Sequence, residues 1–85
     1  MAEYIVGTVS HYYGNLGVAG IDLSANLEVG DKIHILGHTS DFTQTVGSIQ
    51  IEHEKVASAK KGDPIGVKVK ERVRVHDQVF LVRAD

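Results

Sequence analysis

The chain has 85 residues, no cysteine and a formal charge of −2 from nine basic and eleven acidic side chains. That length holds one domain, residues 1–85, with about 4–13 kcal/mol of stability by the usual per-residue figure. The missing cysteines exclude a disulfide framework and a thiolate metal site, and the acidic balance argues against the strongly basic class of nucleic-acid-binding domain.

One proline, nine glycines and many β-branched residues fit a turn-rich all-β chain. The opening MAEYIVGTVSH has neither a basic region nor a long apolar run, so a signal peptide is not expected. No stretch approaches the length needed to span a membrane, and a cytoplasmic location is the expectation. Tyr4 to His11 alternates as a first strand. Tyr12 to Gly17 (YYGNLG) breaks it, and Val18 to Leu23 resumes with Ala19, Ile21 and Leu23 on one face.

A nine-residue phrase then appears for the first of three times: LEVGDKIHI (Leu27 to Ile35), AKKGDPIGV (Ala59 to Val67) and VRVHDQVFL (Val73 to Leu81). In each, Gly or His is followed by Asp and then by apolar residues two apart. Glycine reaches positive φ without a Cβ penalty, Asp can hydrogen-bond backbone amides two residues on, and the i, i+2 pair faces one side of a strand. Each phrase is therefore a turn feeding a strand, with Ile33, Ile35, Ile65, Val67, Val79 and Leu81 as core. His76 takes the glycine place in the third copy, and histidine is among the residues enriched at left-handed positions.

The first phrase launches a strand over Lys32 to Leu36, which ends in the polar loop Gly37 to Asp41. Thr43 to Glu52 is expected as one long strand bent at Gly47, because Val46 and Ile49 are out of phase there. His53 to Lys61 is expected as a connection with one helical turn, from the spacing of Val56 and Ala59. Ile65 to Glu71 and Val79 to Arg83 complete the set. Six evenly spaced strands favour a single six-stranded closed β-barrel over a sandwich.

With those phrases in place, GVAGIDLSANLEVGDKIHILG, VGSIQIEHEKVASAKKGDPIGVKV and VRVHDQVFLV resemble the β-barrel second domain of translational GTPases such as elongation factor Tu. They resemble more closely the small elongation-factor-like barrels that stand alone or form the C-terminal domain of U32 peptidases. The resemblance covers roughly residues 5 to 83. It implies a translation-factor-type barrel acting as a binding module for RNA, the ribosome or a translation-associated protein, or else an accessory barrel docking on an enzyme such as a U32-type peptidase. No phosphate-binding loop is present, so no nucleotide is expected. The positions that would hold the aminoacylated end of transfer RNA fall on Gln50 and His53, where the family usually has Glu and Arg.

Several side chains are candidates in their own right. Six of the nine Lys and Arg lie between Lys60 and Arg74, against only Asp63 and Glu71. Lys68, Lys70, Arg72 and Arg74 alternate, so a continuous strand would align all four on one face, as a ridge for phosphates or an acidic partner or as a solvated face that discourages edge pairing. Of Tyr12 and Tyr13 in adjacent extended positions, one is expected to be exposed, to stack on a base or to close the end of the core. His34, His38, Asp41 and His53 raise the question of zinc, but without a helical arrangement to aim them they read as ordinary polar residues, and no metal or cofactor is assigned. No nucleophile motif is present and the Asp residues of the phrases have turn-capping work, so a non-enzyme is expected.

Overall fold

The computed structural model describes residues 2–83, and among them every regular element is a strand. In chain order these are β1 (Ala2–Tyr13), β2 (Val18–Leu23), β3 (Leu27–Glu28), β4 (Lys32–Leu36), β5 (Asp41–Thr45), β6 (Ile49–Ile51), β7 (Glu54–Val56), β8 (Ser58–Ala59), β9 (Pro64–Lys68) and β10 (Gln78–Arg83). Eight form one sheet in the order β5-β4-β10-β1-β2-β9-β6-β7, and β3 pairs with β8 alone. Among the described residues no helix is long and apolar enough to cross a membrane.

All three repeated phrases fold as tight turns of one design. The Asp amide donates to the carbonyl three residues back, at 3.1 Å for Asp31 to Glu28, 3.0 Å for Asp63 to Lys60 and 3.1 Å for Asp77 to Arg74. The Asp carboxylate in turn accepts from that same residue's amide, at 2.8, 3.0 and 2.9 Å. The expected partners of these carboxylates lay ahead in the chain; they lie behind it. Between the two bonded residues Gly30, Gly62 and His76 have φ of +97°, +92° and +78°, the left-handed third position of a type II turn.

Each turn delivers its strand with the predicted face inward. Ile33, Ile35, Val67 and Val79 are fully buried, and Ile65 and Leu81 nearly so. They join Val6, Val9, Ile21, Leu27 and Ile49 in one apolar cluster. Burying such side chains at about 1.5–3 kcal/mol each is the main force holding so small a chain together.

The single six-stranded closed barrel is not what forms. The expected strand from Thr43 to Glu52 divides at Val46–Ser48 into β5, which pairs with β4, and β6, which pairs with β9. Gly47 lies at that corner. The expected helical turn is replaced by β7 and β8, because Glu52 and His53 both take positive φ, +51° and +67°, and fold the chain back onto β6. Backbone pairing thus ends at β5 and β7. The sheet curls until β5 approaches the end of β9, where the Gln44 side chain spans the gap: its Nε2 donates to the Lys68 carbonyl at 2.8 Å and its Oε1 accepts from the Lys70 amide at 2.9 Å.

That contact also ends the fifth strand early. β9 stops at Lys68, where the sequence pattern ran on to Glu71. The four cations do not form a ridge on one strand: Lys68 closes β9, Lys70 and Arg72 lie in the irregular stretch that follows, and Arg74 opens the third turn. All four are exposed, and Val69 and Val73 between them are buried.

Candidate binding groove

The outer face of β1, β2, β9 and β6 is built around two glycines. Strand register places His11, Gly20, Gly66 and Gln50 side by side on successive strands, each opposite the next. Inward-facing Ala19, Ile21, Ile65 and Val67 alternate with this row, so the row faces outward. Side chains would normally cover such a row. With Gly at its two central places, the floor of the sheet is backbone.

Around that floor the chain raises walls. Leu16, at the tip of the loop joining β1 and β2, is 67 % exposed, and Tyr13 below it is 48 % exposed. The loop is pinned by Leu16 and Gly17 amides donating to the Tyr13 carbonyl at 3.1 and 2.9 Å. The His11 and Tyr13 rings meet at a centroid distance of 4.3 Å and a tilt of 53°, which fixes the tyrosine over one side. Val18 and Pro64 extend the apolar lining, and Gln50, Glu52 and His53 supply the polar end. The groove holds about 260 Å³. This is below the roughly 300–1,000 Å³ usual for small-molecule sites and suits a single side chain.

Gln50 and His53 thus meet at one site, together with Tyr13. The left-handed pair Glu52–His53 is what turns His53 back toward Gln50. Neither residue is glycine or asparagine, and each such position costs roughly 1–2 kcal/mol. Tyr12 goes elsewhere: it is half-buried against the core and, with His11, Arg72 and Arg74, lines a separate, shallower cleft of about 500 Å³. Lys68 and Lys70 line neither depression.

Leu16, Gly20, Glu52, Pro64 and Gly66 were not foreseen as site residues. Leu16 did carry a signal, as an apolar side chain between Asn15 and Gly17 in a loop. The two glycines carried none, because their meaning depends on strand register.

A second cluster occupies the other half of the sheet. The His34 Nδ1 lies 2.8 Å from Glu3 Oε1 and its Nε2 lies 2.6 Å from Asp41 Oδ1. A carboxylate at each nitrogen favours the doubly protonated imidazole, and hydrogen bonding to Glu3 first and Asp41 second raises its pKa above the ordinary 6.5. The ring is thereby occupied on both sides. Of the four residues weighed for zinc, His34 and Asp41 meet, but as an ion pair; His38 is in the β4–β5 loop and His53 at the groove. Among the described residues no three acidic or histidine side chains are grouped to hold a metal ion.

No protein-family model matches the chain. It is 40% identical over 79 residues to an uncharacterized protease of Methanocaldococcus jannaschii, covering 92% of this chain and 19% of the protease. It is 39% identical over 77 residues to a collagenase of Porphyromonas gingivalis, covering 88% of this chain and 21% of the collagenase. The chain therefore spans about a fifth of the length of the curated relatives it matches.

Among solved structures, the C-terminal domain of a putative U32 peptidase from Geobacillus thermoleovorans superposes with a TM-score of 0.86 at 21% identity, covering 92% of this chain and 91% of that one. Its selenomethionine variant gives a TM-score of 0.85 over 89% and 96%. The fold is that of this peptidase domain. The likeness to the elongation-factor second domain drawn from the sequence is carried by none of these matches.

Proposed function

We propose that the chain is a non-catalytic accessory module that works with a peptidase unit of the U32 type, of the kind that forms the C-terminal domain of such enzymes. One observation carries this: nearly the whole chain aligns at about 40% identity with only a fifth of a protease. A segment that accounts for so little of an enzyme, whose sequence carries no nucleophile motif and whose histidine–carboxylate cluster, at His34, lies away from the groove, is read as contributing binding rather than bond cleavage. The groove is where that binding is concentrated.

The test uses a U32-type peptidase from which the matching fifth has been deleted. Mixed with this chain, the truncated enzyme is expected to co-elute on size exclusion and to regain turnover of its polypeptide substrate. Separate elution with no change in turnover would refute the module's association with the enzyme, and hydrolysis by this chain alone would refute its non-catalytic character.

The RNA-binding reading rests on the second depression. There Arg72 and Arg74 flank His11 and Tyr12, which places cations beside aromatic rings. Two phosphate contacts on a single strand give a log-affinity against log-salt slope of about −1.4, against about −3 for the aligned ridge of four. Gel shifts with single-stranded RNA at rising salt decide it, and no shift at low salt dismisses it.

A further inference from the structure

The glycine-floored groove has a size, a chemistry and a position, and together these specify what it holds. Its floor is backbone at Gly20 and Gly66, with a Val18 methyl close over Gly66, and its sides are Tyr13, Leu16, Val18 and Pro64. At one end stands the half-buried carboxamide of Gln50, which has a donor and an acceptor to offer to the backbone of an extended chain. At the rim the Glu52 carboxylate is exposed and takes part in none of the ion pairs among the described residues.

Position adds the third argument. Ala2 pairs with Arg83, so the two described ends of the chain lie together. From there β1 runs the twelve residues from Ala2 to Tyr13, on the order of 35 Å at the rise of an extended strand. Tyr13, at the other end of β1, lines the groove, so this strand, bent at bulges between Ile5 and Gly7 and between Val9 and His11, separates the groove from the paired chain ends.

We propose that this groove captures a polypeptide segment in extended form, seating one large apolar side chain, preferably aromatic, on the glycine floor while Gln50 bonds its backbone and Glu52 meets a neighbouring Lys or Arg. The proposal rests on the accessory-module reading and deepens it. The module is tethered to the peptidase at one end and holds the peptidase's substrate polypeptide at the other. Charge complementarity selects the basic neighbour, and the roughly one-side-chain volume selects the anchor.

Fluorescence anisotropy with the whole chain and labelled peptides tests it. The peptide Gly-Gly-Phe-Arg-Gly-Gly is expected to bind saturably, and replacing its Phe by Ala to weaken binding about tenfold or more. Replacing its Arg by Glu is expected to weaken binding about two- to fivefold, a difference that Glu52→Gln removes. Tyr13→Ala, Leu16→Asp and Gln50→Ala are expected to lower affinity, with circular dichroism verifying their folding. Ile5→Asp, at the β10-paired start of β1 and outside the groove lining, is expected to leave affinity unchanged.

Absence of saturable binding up to about 1 mM peptide would overturn the proposal. So would binding indifferent to the Tyr13, Leu16 and Gln50 variants, or a single-stranded oligonucleotide occupying the groove in place of peptide. The truncated-peptidase assay run beside it separates the two readings. Co-elution without peptide binding sinks the groove proposal alone, and peptide binding without co-elution sinks the tether to the enzyme alone.

Discussion

The two halves of the curled sheet use the same turn chemistry and present opposite surfaces. In the half made of β5, β4, β10 and the β10-paired start of β1, side chains fasten to one another: His34 is gripped by Glu3 and Asp41, and Asp77 is buried in its turn. Gly37, which follows β4, packs so tightly there that an added Cβ would fall on the Asp77 carboxylate. In the half made of β2, β9, β6 and β7, glycine faces glycine and the floor is backbone, bordered by a Val18 methyl that would stand 3.2 Å from a Cβ at Gly66. The lesson is that one sheet can be locked on one side and receptive on the other without a change of fold. What differs is which residues strand register sets side by side.

Removing the same carboxylate from each half is expected to have the largest effect. Asp77→Ala strips the Arg74 amide of its acceptor and empties the space against Gly37, and is expected to cost about 2–3 kcal/mol. Asp63→Ala, in the more open second turn, is expected to cost about 0.5–1.5 kcal/mol. Thermal unfolding reads the difference as roughly 4–8 °C per kcal/mol at this chain size. Equal losses would mean the first half is no more tightly fastened than the second.

Gln44 joins the two halves. Gln44→Ala removes two hydrogen bonds across the seam and is expected to cost about 1–2 kcal/mol. It is also expected to speed amide exchange at Lys70, whose N–H it caps. Unchanged exchange at that amide would show that the seam is held by packing alone.

Smaller again is the contribution of His34. Its pKa in the folded chain is raised above the unfolded value, so its stabilisation is complete below about pH 6.5 and is lost as pH rises through the elevated folded value. Its partners are largely exposed, Asp41 at 74% and Glu3 at 41%, so each pair contributes about 0.2–1 kcal/mol. Denaturation midpoints of the parent are expected to fall from pH 6 to pH 8 relative to those of His34→Gln. Parallel curves would dismiss the charged state.

How much of this was legible in the sequence follows from the range of the interactions. Strands Val18–Leu23 and Lys32–Leu36 have the bounds that the alternation predicted, and the left-handed turns at Gly30, Gly62 and His76 were marked by the repeated phrase. These are local patterns, set within a few residues. Gln44 reaching the Lys68 and Lys70 backbone, and Glu3 reaching His34 across 31 positions, leave no such mark. Hence the ridge from Lys68 to Arg74 was expected to be continuous, and the barrel closed. The β6–β7 hairpin failed to show for a different reason: Glu52 does not announce a left-handed turn, and His53, unlike His76, has no following Asp and repeated phrase to mark it, so the Val56–Ala59 spacing stood alone and suggested a helix. Of the site, Tyr13, Gln50 and His53 were named in advance, but the glycine floor that brings them together was not.

Those non-glycine residues in left-handed conformation give the smallest and most discriminating test. His76 and His53 occupy the same backbone region, one in the locked half and one at the groove. Replacing either with glycine relieves a strain of roughly 1–2 kcal/mol and adds back chain entropy of roughly 0.5–1 kcal/mol, so each variant is expected to be stabilised by up to about 1 kcal/mol. Their effects on binding then part. His76→Gly leaves the groove lining intact and is expected to bind peptide as the parent does. His53→Gly is expected to gain stability and lose affinity, because the strained turn keeps His53 beside Gln50. If both variants bind equally well, the strain at Glu52–His53 is incidental to the groove; if only His53→Gly is weakened, the second half of the sheet retains that cost for its recognition site.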